Sequence, residues 1–427
     1  MATAKATTDP IDDCVHCGFC LPACPTYVSW SEEMDSPRGR IYLMRGLRDG
    51  ALTWDDTVAT HFDRCLGCMA CVTACPSGVR YDVLIESTRA TREVMVPRGA
   101  HDVIFRGLVF ALFPYATRLR LVGLALWVLT ILGVRRWIQK SAVLARIAPR
   151  LAQLDALAPA RSPRELVRTL PSRVRAEGEA RLRVGLVAGC VQQVFFPGVN
   201  EATLRVLGKE GCECVVPEGQ GCCGALSLHA GRQEEARAFA RDMIRSFDED
   251  DVDVVAVNAA GCGSTLKEYG RLLQDDPDWS ERARIFSGKV RDVCELLAEL
   301  PARATRHPLP RQVAYHDACH LAHAQGIRLA PRRLLAAIPG LSMCEVPEGD
   351  QCCGSAGIYN LVQPESASEI GWRKVDNILR TGAGTVVSAN PGCTLHIQRL
   401  MRTRHVDIRA MHPIEVLDRS LRGEPLD

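Results

Sequence analysis

The sequence has almost no charge to spare: Lys and Arg total 52 against 50 Asp and Glu, a formal net charge of +2. That excludes the broad basic field a nucleic-acid backbone needs, so no nucleic-acid partner is expected. The segment Met1 to Asp13 holds no apolar stretch between a basic start and a small-residue cleavage site; no secretory signal is read there, and the chain is expected in the cytoplasm. Long hydrophobic runs are also lacking. The clearest candidate, Leu121 to Val134, has 14 residues between Arg118, Arg120, Arg135 and Arg136, and as a helix it would reach roughly 21 Å against a hydrocarbon core of about 30 Å. Three placements stay open for it: buried in the fold or under a partner subunit, lying in a membrane interface, or spanning. The chain has no G-x-x-x-x-G-K-[ST] loop, no G-x-S-x-G elbow and no strand-G-x-G-x-x-G-helix unit, so neither flavin nor NAD is expected in it.

What the chain does have is 20 Cys. A reducing compartment does not maintain disulfides, so these read as metal ligands or redox groups rather than staples. Eight lie before residue 76, none from 76 to 189, and twelve from Cys190 to Cys393. With about 150 residues per domain as a guide, the spacing divides the chain into a ferredoxin-type domain at 1–95, a helical and basic connector at 96–182, and two α/β units at 183–300 and 311–427. The stretch from Pro149 to Arg183 is rich in Pro and Arg, as a solvated connector would be, and Pro301 to Arg311 is a shorter linker. Val184 to Ala188 and Val252 to Val257 read as strands, and Arg232 to Phe247 and Gly263 to Leu273 as helices. The expected fold class is a multidomain α+β and α/β protein: a helical two-cluster module followed by two tandem α/β repeats.

The early cysteines form two motifs, Cys14-x2-Cys17-x2-Cys20-x3-Cys24-Pro25 and Cys65-x2-Cys68-x2-Cys71-x3-Cys75-Pro76. This is the bacterial two-cluster ferredoxin spacing, in which three thiolates wrap one cubane and the fourth, carried off by a following Pro, reaches the other. One [4Fe-4S] cluster is therefore expected on Cys14, Cys17, Cys20 and Cys75, and a second on Cys65, Cys68, Cys71 and Cys24. Zinc explains the pattern less well, because a structural zinc takes two separated pairs. Four thiolates per cluster leave no open coordination site, so the module passes electrons and makes no substrate bond. Between the motifs, Pro37-Arg38-Gly39-Arg40-Ile41-Tyr42 offers cations that either lie against the clusters or sit solvated on a turn.

The later cysteines repeat. Cys190 is followed after 31 residues by Cys222-Cys223-Gly224 and after 38 more by Cys262; Cys319 is followed after 32 residues by Cys352-Cys353-Gly354 and after 39 more by Cys393. Each set falls on strand-to-helix turns, which gather at the carboxyl edge of a parallel sheet. Either a further iron-sulfur or other redox site, or a thiol relay or docking edge with bare cysteines, fits that placement. Cys214 and Cys344, in strand segments, and Cys212 and Cys294 are read as small packing residues. His316, His320 and His323 beside Cys319 are read as hydrogen-bonding support rather than ligands.

Together, Cys14-Val-His-Cys-Gly-Phe-Cys20, Cys24-Pro-Thr-Tyr27, Pro37-Arg-Gly-Arg-Ile-Tyr42, Cys75-Pro-Ser-Gly-Val-Arg-Tyr81, Gly221-Cys-Cys-Gly224, Gly261-Cys-Gly263 and Cys352-Cys-Gly-Ser-Ala-Gly357 resemble the iron-sulfur subunit of glycolate oxidase, also called glycolate dehydrogenase, over nearly the whole chain. The resemblance implies a hetero-oligomeric complex in which FAD-containing oxidase subunits convert glycolate to glyoxylate. This chain would pass the electrons to a quinone or another membrane acceptor, from a peripheral position on the cytoplasmic membrane. It implies an oxidoreductase subunit using neither NAD nor oxygen, without turnover by this chain alone. Lactate, another 2-hydroxyacid or glycerol 3-phosphate as the donor stays open, as do a heterodisulfide-reductase-like thiol-disulfide enzyme and a non-catalytic docking adaptor. Cluster-binding members of the wider Cys-Cys-Gly group end each repeat with Cys-x-x-Cys, whereas here Ala259 and Asn390 take the first of those positions, so five-thiolate ligation does not carry over.

Overall fold

The computed structural model describes residues 9–141, 143–159 and 161–426. Its N-terminal part is helical. Cys24 is the N-cap of the helix Pro25–Trp30, so Pro25 sits where its missing N–H costs nothing and opens a helix instead of ending one. Cys75 closes the short helix Ala70–Ala74, and Pro76 follows it. The segment with Arg38 and Arg40 is not a turn: Ser36 Oγ accepts from Gly39 N at 3.0 Å and starts the helix Pro37–Arg48, with Pro37 in its first turn. The helices Asp56–Asp63 and Tyr81–Met95 complete this part, around Ile41, Phe62, Tyr81 and Ile85.

Among the described residues nine short strands form two sheets. The first holds β1 (Arg173–Val174), β2 (Leu182–Leu186), β3 (Cys212–Val215), β4 (Val254–Val257) and β5 (Val290–Asp292) in the order β1-β3-β2-β4-β5, parallel except for β1. The second holds β6 (Gln312–His316), β7 (Ser342–Glu345), β8 (Thr385–Ser388) and β9 (Arg409–Met411) in the order β7-β6-β8-β9, all parallel. The two units share connectivity and one core. Val184, Leu186 and Leu207 of the first meet Val313, Tyr315, Leu335 and Leu417 of the second in a single apolar cluster. Across it the helix Pro197–Lys209 packs on Pro413–Arg422, and Val293–Glu299 on Leu329–Ala336, with Arg205 bridging to Asp418 at 2.7 Å. These pairings exchange matching elements, so the repeats face each other about an approximate twofold axis.

Cys212, Cys214 and Cys294 are buried packing residues, as expected, but Cys344 is only partly covered. Its strand β7 is an open edge, whereas β1 shields the matching strand β3. The 301–311 linker has no regular structure, yet it is held at Leu309, which is buried and donates its N–H to Pro339 O at 2.8 Å.

The connector runs through the helices Ala100–Leu112, Ala116–Ile131, Val134–Ser141, Val143–Ile147, Pro149–Leu157 and Pro163–Leu166. The first two meet at a 103° bend, and among the described residues no single helix is long and apolar enough to cross a membrane. The apolar run is half covered rather than buried. Leu124 packs against Leu119, Leu166, Val194 and Phe195, and a Cβ on Gly123 would come within 2.8 Å of Leu166. Leu121, Trp127, Val128, Ile131 and Leu132 remain exposed.

Candidate metal and electron-transfer site

The eight early thiols surround two small voids. One is lined by Cys14, Cys17, Cys20, Cys71 and Cys75, the other by Cys24, Cys65, Cys68 and Cys71. The structure thus gathers three cysteines of each motif with the fourth of the other, and Cys71 borders both spaces. The loops that do this are conformational copies: the second and fourth residues after the first cysteine have positive φ, at His16 (53°) and Gly18 (86°) in one and Gly67 (63°) and Met69 (61°) in the other. Alternating left-handed residues turn successive backbone N–H groups inward, the geometry of an anion nest. Gly67 N donates to Cys65 Sγ at 3.4 Å, and Tyr81 Oη lies 3.7 Å from the same sulfur.

A cation completes each space, buried in one and partly exposed in the other. Arg40 lines the inner void, donates to Asp35 at 3.2 Å and to His61 O at 2.6 Å, and lies close to Cys24 and Cys65. Arg38 lines the outer void and donates to His16 O at 3.2 Å. Burial pushes the Cys68 and Cys71 thiols well up. At Cys65 the same desolvation is outweighed by Arg40 and Arg89, which hold the thiol below its ordinary value. Two sets of soft thiol donors, inward N–H groups and compensating cations fit thiolate-bound iron-sulfur clusters, whose binding would displace the thiol protons.

In the α/β units the cysteines follow the carboxyl ends of the strands. Cys190 opens a helix after β2, Cys222 and Cys223 follow β3, and Cys262 lies in the helix Ala260–Lys267 after β4; Cys319, Cys352, Cys353 and Cys393 take the same places after β6, β7 and β8. Cys190 Sγ is 3.8 Å from Cys222 Sγ, and Cys319 Sγ is 4.0 Å from Cys352 Sγ. Gly354 and Gly224 have φ of 87° and 77°, which explains the glycine after each cysteine pair, and at Gly354 a Cβ would also collide with Ala367 O. Cys68 of the inner void lies beside both Cys319 and Cys352.

A cavity of about 540 Å³ lies over this edge. Its floor includes Cys190, Cys222, Cys262, Cys319, Cys352 and Cys393, and its apolar roof comes from the connector, including Leu112, Phe113, Val122, Leu126, Leu129 and Ile138. His229 and His320 border it with rings 4.8 Å apart, and burial brings their pKa values down to about 4 and about 3, leaving both neutral near pH 7. His320 bonds Ser264 Oγ at 2.8 Å and Gly67 O at 3.1 Å, while His323 bonds Thr73 Oγ1 at 2.7 Å and Asp350 O at 2.9 Å. His316 departs from the expectation. It is buried, neither ring nitrogen has a hydrogen-bond partner, and a ring nitrogen lies within 4.8 Å of the Cys353 and Cys393 sulfurs. Sequence reasoning missed His229, Arg89 and the roof helices, which reach the site only through tertiary packing.

Fold and site define the class: an iron-sulfur protein with a dicluster module joined to two cysteine-rich α/β units. Family models agree, matching a 4Fe-4S dicluster domain at 10–79, a cysteine-rich domain at 184–267 and 313–398, and the linker region of the glycolate oxidase iron-sulfur subunit at 101–158. The "Probable glycolate oxidase iron-sulfur subunit" of Bacillus subtilis (strain 168) is 37% identical over 411 residues, 95% of this chain and 93% of that one. The glycolate oxidase iron-sulfur subunit of Escherichia coli (strain K12) is 33% identical over 416 residues, 96% and 94% of the two chains. Lactate utilization protein A of an Exiguobacterium species is 30% identical over 240 residues, 56% of this chain and 98% of that one. The chain belongs to the family of glycolate oxidase iron-sulfur subunits.

Proposed function

We propose that this chain is the electron-transfer subunit of a flavin-dependent glycolate dehydrogenase, bound to FAD-containing subunits that convert glycolate to glyoxylate, and that it delivers the electrons to a membrane quinone. The observation that carries this reading is a continuous file of thiols. It begins at the exposed Cys17, beside the exposed Val15 and Phe19, crosses Cys71, reaches Cys68 next to Cys319 and Cys352, and ends under the apolar cavity. Two bound [4Fe-4S] clusters supply one-electron steps between a two-electron donor and a two-electron acceptor. The residues of the chain do the rest: Arg38 and Arg40 offset negative charge, the paired loops aim N–H groups at the sulfurs, and the roof helices lay apolar side chains over the cysteine edge. Oxidation of glycolate releases two electrons and two protons, and a quinone takes up the same number.

The exposed Leu121, Trp127, Val128, Ile131 and Trp137, with Arg136 and Lys140 also exposed, suit a cytoplasmic protein held peripherally at a lipid surface. Glycolate is favoured over lactate as the donor because the glycolate oxidase relatives and the linker model cover the connector, whereas the lactate utilization relatives align with little more than half of the chain. In the purified complex, glycolate should reduce a quinone analogue, and Cys17→Ser or Cys68→Ser should stop this while leaving flavin reduction intact. Quinone reduction surviving both substitutions would place the route elsewhere.

A further inference from the structure

The two α/β units match in chain order and differ at their sites. Three residues before Cys319 stands His316; three residues before Cys190 stands Val187, an ordinary buried hydrophobe. A second difference lies on the helix behind each cysteine pair. Gly354 sits under Ala367 O and Gly224 under Ala236 O. Seven residues beyond those alanines stand Lys374 in one unit and Met243 in the other, both buried. The Lys374 amine donates to Glu348 O at 2.6 Å and Gly349 O at 3.0 Å and has no ion pair among the described residues; burial pulls its pKa down, and the Cys353 and Cys352 sulfurs would oppose that if they were ionised. A buried amine without a carboxylate partner would be held as a cation by thiolates bound in a nearby metal centre.

We propose that the second cysteine-rich unit holds an iron-sulfur centre in which one iron is bound by His316 together with the thiolates of Cys353 and Cys393. Three donor atoms within 4.8 Å of one another fit a single metal atom. An imidazole with two bare nitrogens, in a buried site, is a strained arrangement as a packing residue and a natural one as a ligand. Asn390 Nδ2 donates to Cys393 Sγ at 3.4 Å, so the side chain that replaces the absent cysteine supports the sulfur that remains. Thiolate with imidazole suits zinc or cluster iron, and the place of Cys353 directly after Cys352, which lies beside Cys68 on the proposed electron route, favours iron. This rests on the reading of the chain as an electron carrier. A neutral imidazole in place of a thiolate raises a cluster's potential, which would make this centre the electron-accepting end of the route. In the first unit Val187 and Met243 supply neither the nitrogen ligand nor the cation.

The test uses the full chain prepared without air and reduced, examined by pulsed electron paramagnetic resonance. A histidine nitrogen coupling should appear, change from the 14N to the 15N pattern when the protein is grown on 15N-histidine, and disappear in His316→Val and in Cys393→Ser with loss of iron. Signals from the N-terminal clusters should persist in both variants. The labelled unsubstituted protein keeps the test open even if a variant folds poorly. Absence of the coupling, its survival in His316→Val, or zinc in place of iron overturns the proposal. A reduced unsubstituted chain with no cluster signal at all would count against the two-cluster reading and take this inference with it.

Discussion

Arg40 shows how much one side chain decides. It is buried against Cys24, Cys65 and Tyr81 and anchored by Asp35, itself shared with Arg64 at 2.9 Å and His61 at 3.0 Å. A fixed cation in a water-poor site stabilises the more negative, reduced form of an adjacent cluster and so raises its potential. Arg40→Met should lower the midpoint potential of the inner cluster on the order of 59 mV, one tenfold step in a one-electron equilibrium. Arg40→Lys should lower it less, because the charge is kept and only the fork of hydrogen bonds is lost. Redox titration of the complex checks both, and an unchanged potential in the methionine variant removes Arg40 from the tuning of the cluster. At this scale the sequence was legible where chemistry dictates spacing. Eight cysteines at steps of three and four residues announce their sets because a cubane has a fixed size. The burial of Arg40, the bare ring of His316 and the approach of His229 depend on which helix faces which loop, and no local pattern records that.

Among the elements, periodicity located the strands and helices to within a few residues: β2 and β4 and the helix Gln233–Arg245 lie where alternation and helical spacing put them, while the expected helix from Gly263 is two, Ala260–Lys267 and Tyr269–Leu272. The two-residue β1 was not read, since so short a strand has no period. The connector was legible in composition but not in placement. Its helix Ala116–Ile131 is apolar nearly all round, so after one stripe packs on Leu166 and Phe195 another is left outside. A stripe with Trp127 and Ile131, close to the exposed Arg136 and Lys140, matches the chemistry of an anionic bilayer surface. Placing Glu at both Trp127 and Ile131 should weaken binding of the chain to phosphatidylcholine–phosphatidylglycerol vesicles by at least about tenfold, a loss of roughly 1.4 kcal/mol. Co-sedimentation measures this. Iron content should be unchanged because neither side chain lines the cysteine sites, and equal vesicle binding by parent and variant would show that the stripe faces something other than lipid.

For the whole molecule, the repeat in sequence announced two copies but not that they would fold as one. Matching elements cross the approximate twofold axis and bury a common core, and the cysteine edges meet there: Ala260 N donates to Ala389 O at 3.1 Å, and Gly261 N to Asn390 Oδ1 at 3.2 Å. The proposed electron route across this junction needs the edges held rigidly, because the thiols are supplied by turns from both units and from the N-terminal module. Rigidity here should therefore be a shared property. Leu207 lies wholly buried in the common cluster, on the helix Pro197–Lys209 that packs on Pro413–Arg422. Leu207→Ala removes packing from one unit only, at an expected cost of about 2–5 kcal/mol. If the two units open only together, the most protected amides of β4 in the first sheet and of β8 in the second should lose the same free energy of hydrogen exchange. Loss confined to β4, with β8 unaffected, would mean that the halves are separately stable and merely in contact.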